Sequence, residues 1–193
     1  MIQQSSIRKL NLGCGEFKKE GYINVDYGAF SSPDLTHNLE EIPYPFSESK
    51  FDLIEADHVL EHLADPFSVM RKIHRIAKDK STVIIRTPHF SRGFSHPEHK
   101  RGFDVSFPLY FRKSFVGGYQ GCEFDLKVLS LRWFAQPDLK RRHFSVLTFN
   151  ALRAIGFVID LFANLSPEIC SRIRCYWVGG FEEIEYVFVV KKC

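Results

Sequence analysis

One short stretch near the start of the chain limits the fold more than any other. Residues 10–15 are Leu-Asn-Leu-Gly-Cys-Gly, an apolar run closed by two glycines, and residues 21–26 are Gly-Tyr-Ile-Asn-Val-Asp. The first run is typical of a buried parallel strand, and Gly13 and Gly15 permit a tight turn whose backbone approaches a ligand. Asp26 ends the second strand, where a carboxylate can accept hydrogen bonds from both ribose hydroxyls. The pattern predicts a nucleoside-binding edge of a parallel sheet.

Length and composition favour one domain over residues 1–193. The chain is 45% hydrophobic and 25% charged, and a domain of this size buries roughly 70% of its unfolded surface. A formal net charge of +3 is too small to indicate nucleic-acid binding. The five cysteines include no C-x-x-C pair, and the N-terminal segment lacks an apolar secretory core. We therefore expect a small-molecule enzyme or binding protein, no nucleic-acid partner and a reducing, cytoplasmic location.

Strands and helices alternate along the remainder of the chain. Apolar runs predict further strands at residues 34–36, 51–56, 82–85, 124–133 and 184–190. Asp65 and Pro66 have the residue types that begin a helix. A second helix is expected over residues 107–116, before two glycines, whereas the link between the first two strands has room for only a turn or two. Such alternation is typical of an α/β sheet.

The order of these motifs resembles that of class I S-adenosylmethionine-dependent methyltransferases, of the small bacterial type associated with surface-glycan and natural-product pathways. Residues 10–15 resemble the first motif of the family, and residues 21–26 its second strand with the ribose-binding acid. His37-Asn38-Leu39 stands where the family usually has an Asp-Leu pair facing adenine. Residues 51–54 and 58–63 match the fourth strand and the helix after it. The resemblance covers about the first half of the chain.

The resemblance implies a Rossmann-like methyltransferase fold, with a mostly parallel seven-stranded sheet, helices on both faces and an antiparallel last strand. It implies S-adenosyl-L-methionine as the cofactor, S-adenosyl-L-homocysteine as its product, and O- or N-methylation of a small-molecule or glycan acceptor. The residues expected to bind the cofactor are Asn11, Leu12, Gly13, Cys14, Gly15, Asp26, Asn38, Leu39, Asp57 and His58. The chain departs from the family pattern at Asn11 and Asn38, which replace acids, and at Phe17, which replaces a third glycine.

Three other functions are compared with parts of the same sequence: a dehydrogenase, a metallopeptidase and a non-catalytic binding module. A dinucleotide fingerprint needs a glycine where the chain has Lys18, so a dehydrogenase is disfavoured. His58-Val59-Leu60-Glu61-His62 matches H-x-x-E-H, in which a helix would place both histidines on one face to bind zinc, as in a metallopeptidase. A non-catalytic module that binds S-adenosylmethionine is the remaining alternative, motivated by the departures from the family pattern.

The acceptor side is expected at residues 88–118, because ligands of open α/β sheets bind at the carboxyl ends of strands. Methyl transfer to a hydroxyl needs a general base, for which His89 is the first candidate and His99 the second. Equally, both could be structural loop histidines. Lys100 and Arg101 are candidates for holding an anionic acceptor. His96, Glu98 and His99 could hold a divalent ion, but we assign no metal site from the sequence.

A helical insertion is expected at residues 140–178. Residues 144–165 form a nearly continuous apolar stretch that is long enough to span a membrane, but Arg153 and Asp160 would lie near the midplane of the bilayer. We therefore expect a helix that packs in the core or between subunits of a homodimer. Peripheral contact of residues 140–165 with a membrane or a lipid-linked substrate is the alternative, because the basic cluster at residues 140–143 precedes the helix.

Overall fold

A computed structural model describes residues 7–28, 31–93 and 96–192. Residues 1–6 of the N-terminal segment, residues 94–95 of the expected acceptor loop and Cys193 lie outside the described residues. The strands are β1 (Lys9–Leu12), β2 (Tyr22–Asp26), β3 (Leu35–Thr36), β4 (Phe51–Asp57), β5 (Ala77–Pro88), β6 (Glu123–Arg132) and β7 (Glu183–Lys191). The helices are α1 (Pro66–Ile76), α2 (Phe90–Gly93), α3 (Pro137–Lys140), α4 (Val146–Ala163) and α5 (Pro167–Arg172).

All seven strands form one sheet in the order β3-β2-β1-β4-β5-β7-β6. The first five are parallel to one another, whereas β7 runs antiparallel between β5 and β6. This arrangement confirms the predicted mixed sheet with an antiparallel last strand. The antiparallel strand lies inside the sheet, so β6 forms the edge.

Helix α1 follows β4 as predicted. The Asp65 carboxylate accepts a hydrogen bond from the backbone N–H of Ser68 at 3.1 Å, which caps the helix. The apolar side of α1 is buried against the sheet through Val69, Met70, Ile73 and Ile76. The strand after α1 starts directly at Ala77.

Two predicted helices are shorter than expected. The prediction of a helix over residues 107–116 is wrong, because only a 3-10 turn forms there, at Phe107–Phe111. Phe107 and Phe111 are buried in the aromatic core, so packing fixes this segment more than helical periodicity does. After β4 the chain forms a second 3-10 turn, Leu60–His62, instead of a regular helix.

Helix α4 is attached to the sheet through polar and small side chains. Asp160 accepts a hydrogen bond from the backbone N–H of Trp133 at 2.7 Å. The Asn164 amide bonds both the N–H (2.8 Å) and the carbonyl (3.0 Å) of Leu131 on the edge strand. Gly156 allows close approach, since a Cβ there would lie 2.9 Å from that of Phe134.

The opposite face of α4 is apolar and exposed. This face includes Leu147, Ile155, Phe157, Val158, Leu161 and Phe162. By length and composition alone α4 could cross a membrane. Only a small part of it is buried, so the expectation that this stretch packs in the core of the protein is wrong.

Candidate functional site

The glycine turn and Asp26 support each other at the carboxyl ends of β1 and β2. Gly13 and Gly15 both have positive φ angles, +65° and +47°, which favour glycine. The Asp26 carboxylate accepts one hydrogen bond from the N–H of Gly15 at 2.8 Å and another from the N–H of Gly28 at 2.9 Å. Its remaining lone pairs are available to a ligand.

The asparagine at position 11, where the family has an acid, takes part in a network of buried amides. The Asn11 side chain donates to the Phe17 carbonyl at 3.1 Å and to the Asn24 side chain at 3.0 Å. The side-chain oxygen Oδ1 of Asn24 also accepts from the N–H of Lys19 at 2.8 Å. These buried amides fix a turn in place of a first helix, because each satisfies backbone groups that a helix would otherwise pair.

Two cavities flank the glycine turn. The ribose cavity, of about 880 Å³, is lined by Gly13, Gly15, Asp26, Asn38, Leu39, His58 and Lys100 among others. The central cavity, of about 520 Å³, is lined by Asn11, Gly13, Cys14, Gly15, Asp57, His58, Arg86, Glu183 and residues 136–139 among others. Every residue expected to bind the cofactor therefore borders one of them, except Leu12, which is fully buried beneath the turn. Their individual binding roles stay predictions.

A charged network closes the base of the central cavity. The Lys19 ammonium lies 2.6 Å from Glu55 and 2.7 Å from Asp57. Arg86 reaches the same two carboxylates at 3.2 Å and 2.8 Å, and Glu185 at 2.6 Å. The alternating charges fix the ends of β4, β5 and β7 relative to one another, which places Asp57 and Arg86 at the cavity wall.

His58 lies where the cavities meet. It has a positive φ of +54°, and its Nε2 lies 2.8 Å from Glu183 while its Nδ1 lies 3.5 Å from Glu61. Burial opposes the charged form, but the two carboxylates outweigh burial and raise the pKa of His58 to about 9. The side chain is therefore an imidazolium at neutral pH. Sequence reasoning missed Glu183, which is 125 residues away in the chain.

A third cavity, the histidine cavity, opens on the other side of His58. Its volume is about 400 Å³, and its lining includes Glu61, His62, Arg92, His96, His99, Lys140 and Glu182. Arg92 and Lys140 both pair with Glu182. The second base candidate, His99, thus lies beside the junction, and its catalytic role stays a prediction.

His89, the first base candidate, lies elsewhere. It is fully buried and borders none of the three cavities. Its Nδ1 lies 2.7 Å from the Ser91 hydroxyl, its Nε2 lies 2.8 Å from the Ser171 hydroxyl, and burial lowers its pKa to about 4. The expectation that His89 is the base is contradicted, because no acceptor could reach either nitrogen. It instead links the end of β5 to α5.

The zinc-peptidase arrangement is also contradicted. His58 precedes the 3-10 turn and is bonded to Glu183, whereas the His62 ring meets the His99 ring edge-on at 4.9 Å between centroids. The two histidines of the motif therefore do not share a helical face. Arg101 donates to the Ala64 carbonyl, so it fastens the loop. Lys100 faces the ribose cavity and not the histidine cavity.

Comparison with known proteins agrees with this fold. The chain is similar in structure to a SAM-dependent methyltransferase from Archaeoglobus fulgidus (TM-score 0.58, 19% identity, 95% of this chain and 86% of that one). It is also similar to the YcgJ protein of Bacillus subtilis (0.54, 13%, 97% and 92%) and to a putative S-adenosylmethionine-dependent methyltransferase from Listeria monocytogenes (0.57, 10%, 96% and 92%).

At these identities the structural likeness shows the fold alone. No curated protein matches the chain in sequence. The family evidence comes from residues 4–157, which match the family model described as a methyltransferase domain. With most of its length matched by that model, a sheet of the corresponding topology and a glycine turn beside Asp26, the chain belongs to the class I S-adenosylmethionine-dependent methyltransferases.

Proposed function

We propose that this methyltransferase methylates an oxygen or nitrogen of a polar small-molecule or glycan acceptor. The observation that carries the proposal is the histidine cavity, which adjoins the cofactor cavities at His58 and is lined mainly by charged and imidazole side chains. Such a lining suits sugar hydroxyls, carboxylates or phosphates, because each can be paired with a donor or acceptor there. Its volume of about 400 Å³ fits a ligand about the size of one sugar.

The residues of the other two cavities fit the cofactor. S-Adenosylmethionine supplies an electrophilic methyl group on a sulfonium. Asp26 offers carboxylate lone pairs to the ribose hydroxyls, and the space beside Gly15 is open, since a Cβ there would meet no atom within 4 Å. Asn38 and Leu39 border the same cavity farther along. The chain then has to align the acceptor atom with the methyl group, which is the main requirement of an in-line displacement.

His58 and His99 would divide the remaining work. As an imidazolium, His58 can donate a hydrogen bond to an acceptor but cannot take its proton. His99 remains the base candidate, and the bond from its Nδ1 to the Gly93 carbonyl at 2.6 Å leaves Nε2 with a free lone pair when the ring is neutral.

Calorimetry with S-adenosylmethionine, followed by methyl-transfer assays, tests the proposal. The acceptor panel would contain neutral sugars, sugar acids, sugar phosphates and amino sugars, with release of S-adenosylhomocysteine as the readout. We expect cofactor binding and turnover with at least one charged sugar. Binding with no turnover on any acceptor would favour the non-catalytic module, and absence of binding would contradict both functions.

We further propose that the acceptor is lipid-linked or lies at a membrane surface, and that α4 contacts that surface. The exposed face of α4 carries large apolar side chains, among them Phe157 and Phe162, which are 70% and 61% exposed. Arg141, Arg142 and Arg153 are exposed nearby and complement an anionic bilayer. Residues 136–139, which precede α4 within a short distance, line the central cavity. A cytoplasmic location is part of the proposal, supported by four buried free cysteines.

Sedimentation with vesicles tests this contact. We expect binding to vesicles containing anionic phospholipid, weaker binding to neutral ones, and loss of binding in Phe157→Ser/Phe162→Ser. The matched control Ile42→Ser/Val116→Ser removes two exposed apolar side chains elsewhere and should bind normally. A wild-type chain that ignores vesicles but is dimeric by light scattering, with a monomeric Phe157→Ser/Phe162→Ser variant, would instead assign the face to a homodimer.

A further inference from the structure

Three side chains with metal-binding donors meet in the histidine cavity. Glu61 and His62 belong to the 3-10 turn after β4, and His99 comes from the loop after β5. One donor atom from each lies within 4.8 Å of the other two. The loop is fastened there by a hydrogen bond from the N–H of Lys100 to the carbonyl of Glu61 at 2.9 Å. Backbone pairing therefore sets the cluster, which does not depend on the side chains alone.

The Glu61 carboxylate gives independent evidence for a ligand. It is fully buried, and within the described part of the chain neither of its oxygens has a hydrogen-bond partner. The nearest side-chain nitrogens are His58 Nδ1 at 3.5 Å and His62 Nε2 at 4.0 Å, both too distant for a good hydrogen bond. Burying a carboxylate is costly unless it is paired or coordinates a metal. The imidazolium of His58 compensates part of this charge from 3.5 Å, and a directly coordinated cation would also occupy the unbonded carboxylate oxygens.

His99 is oriented as a metal ligand usually is. Its Nδ1 donates to the backbone carbonyl of Gly93 at 2.6 Å, which leaves Nε2 free to coordinate. An ion bound at Nε2 would occupy the lone pair that a general base needs, so metal binding and the base role of His99 exclude each other. Ligating histidines almost always donate their second nitrogen to a carbonyl or carboxylate, which fixes the tautomer and the ring plane. The ring is also stacked on that of His96, with 4.7 Å between centroids, so its orientation is supported from a second side.

We propose that Glu61, His62 and His99 bind one divalent transition-metal ion of the zinc type. Two imidazoles and one carboxylate are ligands that zinc accepts in sites with an open position, whereas magnesium and calcium favour oxygen ligands. Arg92 and Lys140 in the same cavity are paired with Glu182, so their charge is compensated away from the cluster. The coordination positions that these three side chains leave open face the histidine cavity. Contact between the ion and the acceptor at those positions rests on the proposed function.

Metal titration of the full chain tests the site without any cofactor or acceptor. After treatment with a chelator, the protein would be titrated with Co²⁺ and followed by visible absorption, and with Zn²⁺ by calorimetry. We expect one equivalent of each ion to bind, a Co²⁺ spectrum typical of nitrogen and oxygen ligands, and a rise in Tm with Zn²⁺. Calorimetry with S-adenosylmethionine on the same samples tests the proposed function separately, so failure of one does not imply failure of the other.

Single substitutions identify the ligands. His62→Ala and His99→Ala should each lower Co²⁺ affinity about a hundredfold or more, since even outer-shell partners contribute 10- to 100-fold. Glu61→Gln keeps the size of the side chain but removes its charge, so the rise in Tm with Zn²⁺, measured from the metal-free Tm of the same variant, should disappear. His74→Ala is the control, because His74 bonds the Lys191 carbonyl far from the cavity. Absence of stoichiometric binding, or wild-type affinity in His62→Ala and His99→Ala, would overturn the proposal.

Discussion

The contacts that build the cofactor side of the site and those that build the acceptor side differ in how far apart the paired residues are in the sequence. Around Gly13 the key bonds join residues close in sequence: Gly15 and Asp26 are 11 apart, and Asn11 and Asn24 are 13 apart. On the acceptor side, His89 and Ser171 are 82 apart and His58 and Glu183 are 125 apart. The glycine turn and Asp26 can therefore take their shape within the first strands, whereas the contacts of His58 and His89 form only after β7 and α5 have packed.

Removing His89 should have the largest effect on stability, because His89 joins the end of β5 to α5. His89→Ala leaves a cavity and takes away the partner of the buried Ser171 hydroxyl, whereas the Ser91 hydroxyl keeps its bond from the N–H of Phe181. We therefore expect the free energy of unfolding in urea to fall by about 3 kcal/mol. Ser171→Ala, which removes one of the two partners, should cost about 1 kcal/mol. The kcat of folded His89→Ala should be close to normal. Normal stability with lost turnover would restore His89 as the base.

Acid should weaken the same contact. Burial lowers the pKa of His89 to about 4 in the folded protein, whereas an unfolded histidine titrates near 6.5. Between these values the unfolded chain binds a proton that the folded chain does not, so stability falls as the pH drops from 6.5 to 4. The loss amounts to about 3 kcal/mol at 1.36 kcal/mol per pH unit. Urea unfolding at several pH values should show this slope, and a slope equally steep in His89→Gln would contradict the assignment.

On the cofactor side, Asp26→Ala should affect binding more than folding. Loss of a charge-assisted hydrogen bond to ribose costs roughly 1.5 to 3 kcal/mol, or about 10- to 150-fold in Kd for S-adenosylmethionine. Asp125→Ala, on the edge strand, serves as the matched control and should bind normally. The measurement is calorimetry on both variants. Equal affinities would remove Asp26 from the cofactor site.

Two glycine substitutions should separate packing from backbone strain. Both Gly13 and Gly21 have positive φ, at +65° and +75°, so alanine costs about 1 kcal/mol at either. A Cβ at Gly13 would also lie 2.1 Å from Val59 Cγ2, whereas at Gly21 it would meet no atom within 4 Å. We expect Gly13→Ala to be less stable than Gly21→Ala by about a further 1 kcal/mol. Equal Tm values for the two variants would show that the Val59 side chain can move aside without a cost in stability.

The sequence separation of these contacts also explains which features of the fold and the site could be predicted from the sequence. The glycine turn, Asp26 and the capped helix at Asp65 were accessible, because each depends on neighbours in the chain. The burial of His89 was not, because its partner Ser171 is on a distant helix. The H-x-x-E-H motif misled for the same reason, since the distant Glu183 bonds His58 Nε2 and His58 shares no helical face with His62.

The buried face of helix α4 also differs from the one that its composition predicts. Its apolar composition predicts burial, yet the inward face is the one with Asp160, Asn164 and Gly156. Composition could not reveal which face meets the sheet, because the polar residues are satisfied by backbone groups of β6 and of Trp133, which sequence periodicity does not locate.

The Asn164 amide also determines how this protein can associate. By pairing with both the N–H and the carbonyl of Leu131, it takes the place that a neighbouring strand would occupy on β6. An uncovered edge strand is a template for adding further chains and for fibril growth. At this point the sheet is terminated by a side chain, so a partner is offered the apolar surface of α4 and not the Leu131 backbone. Replacing Asn164 would expose those backbone groups and favour aggregation by strand addition.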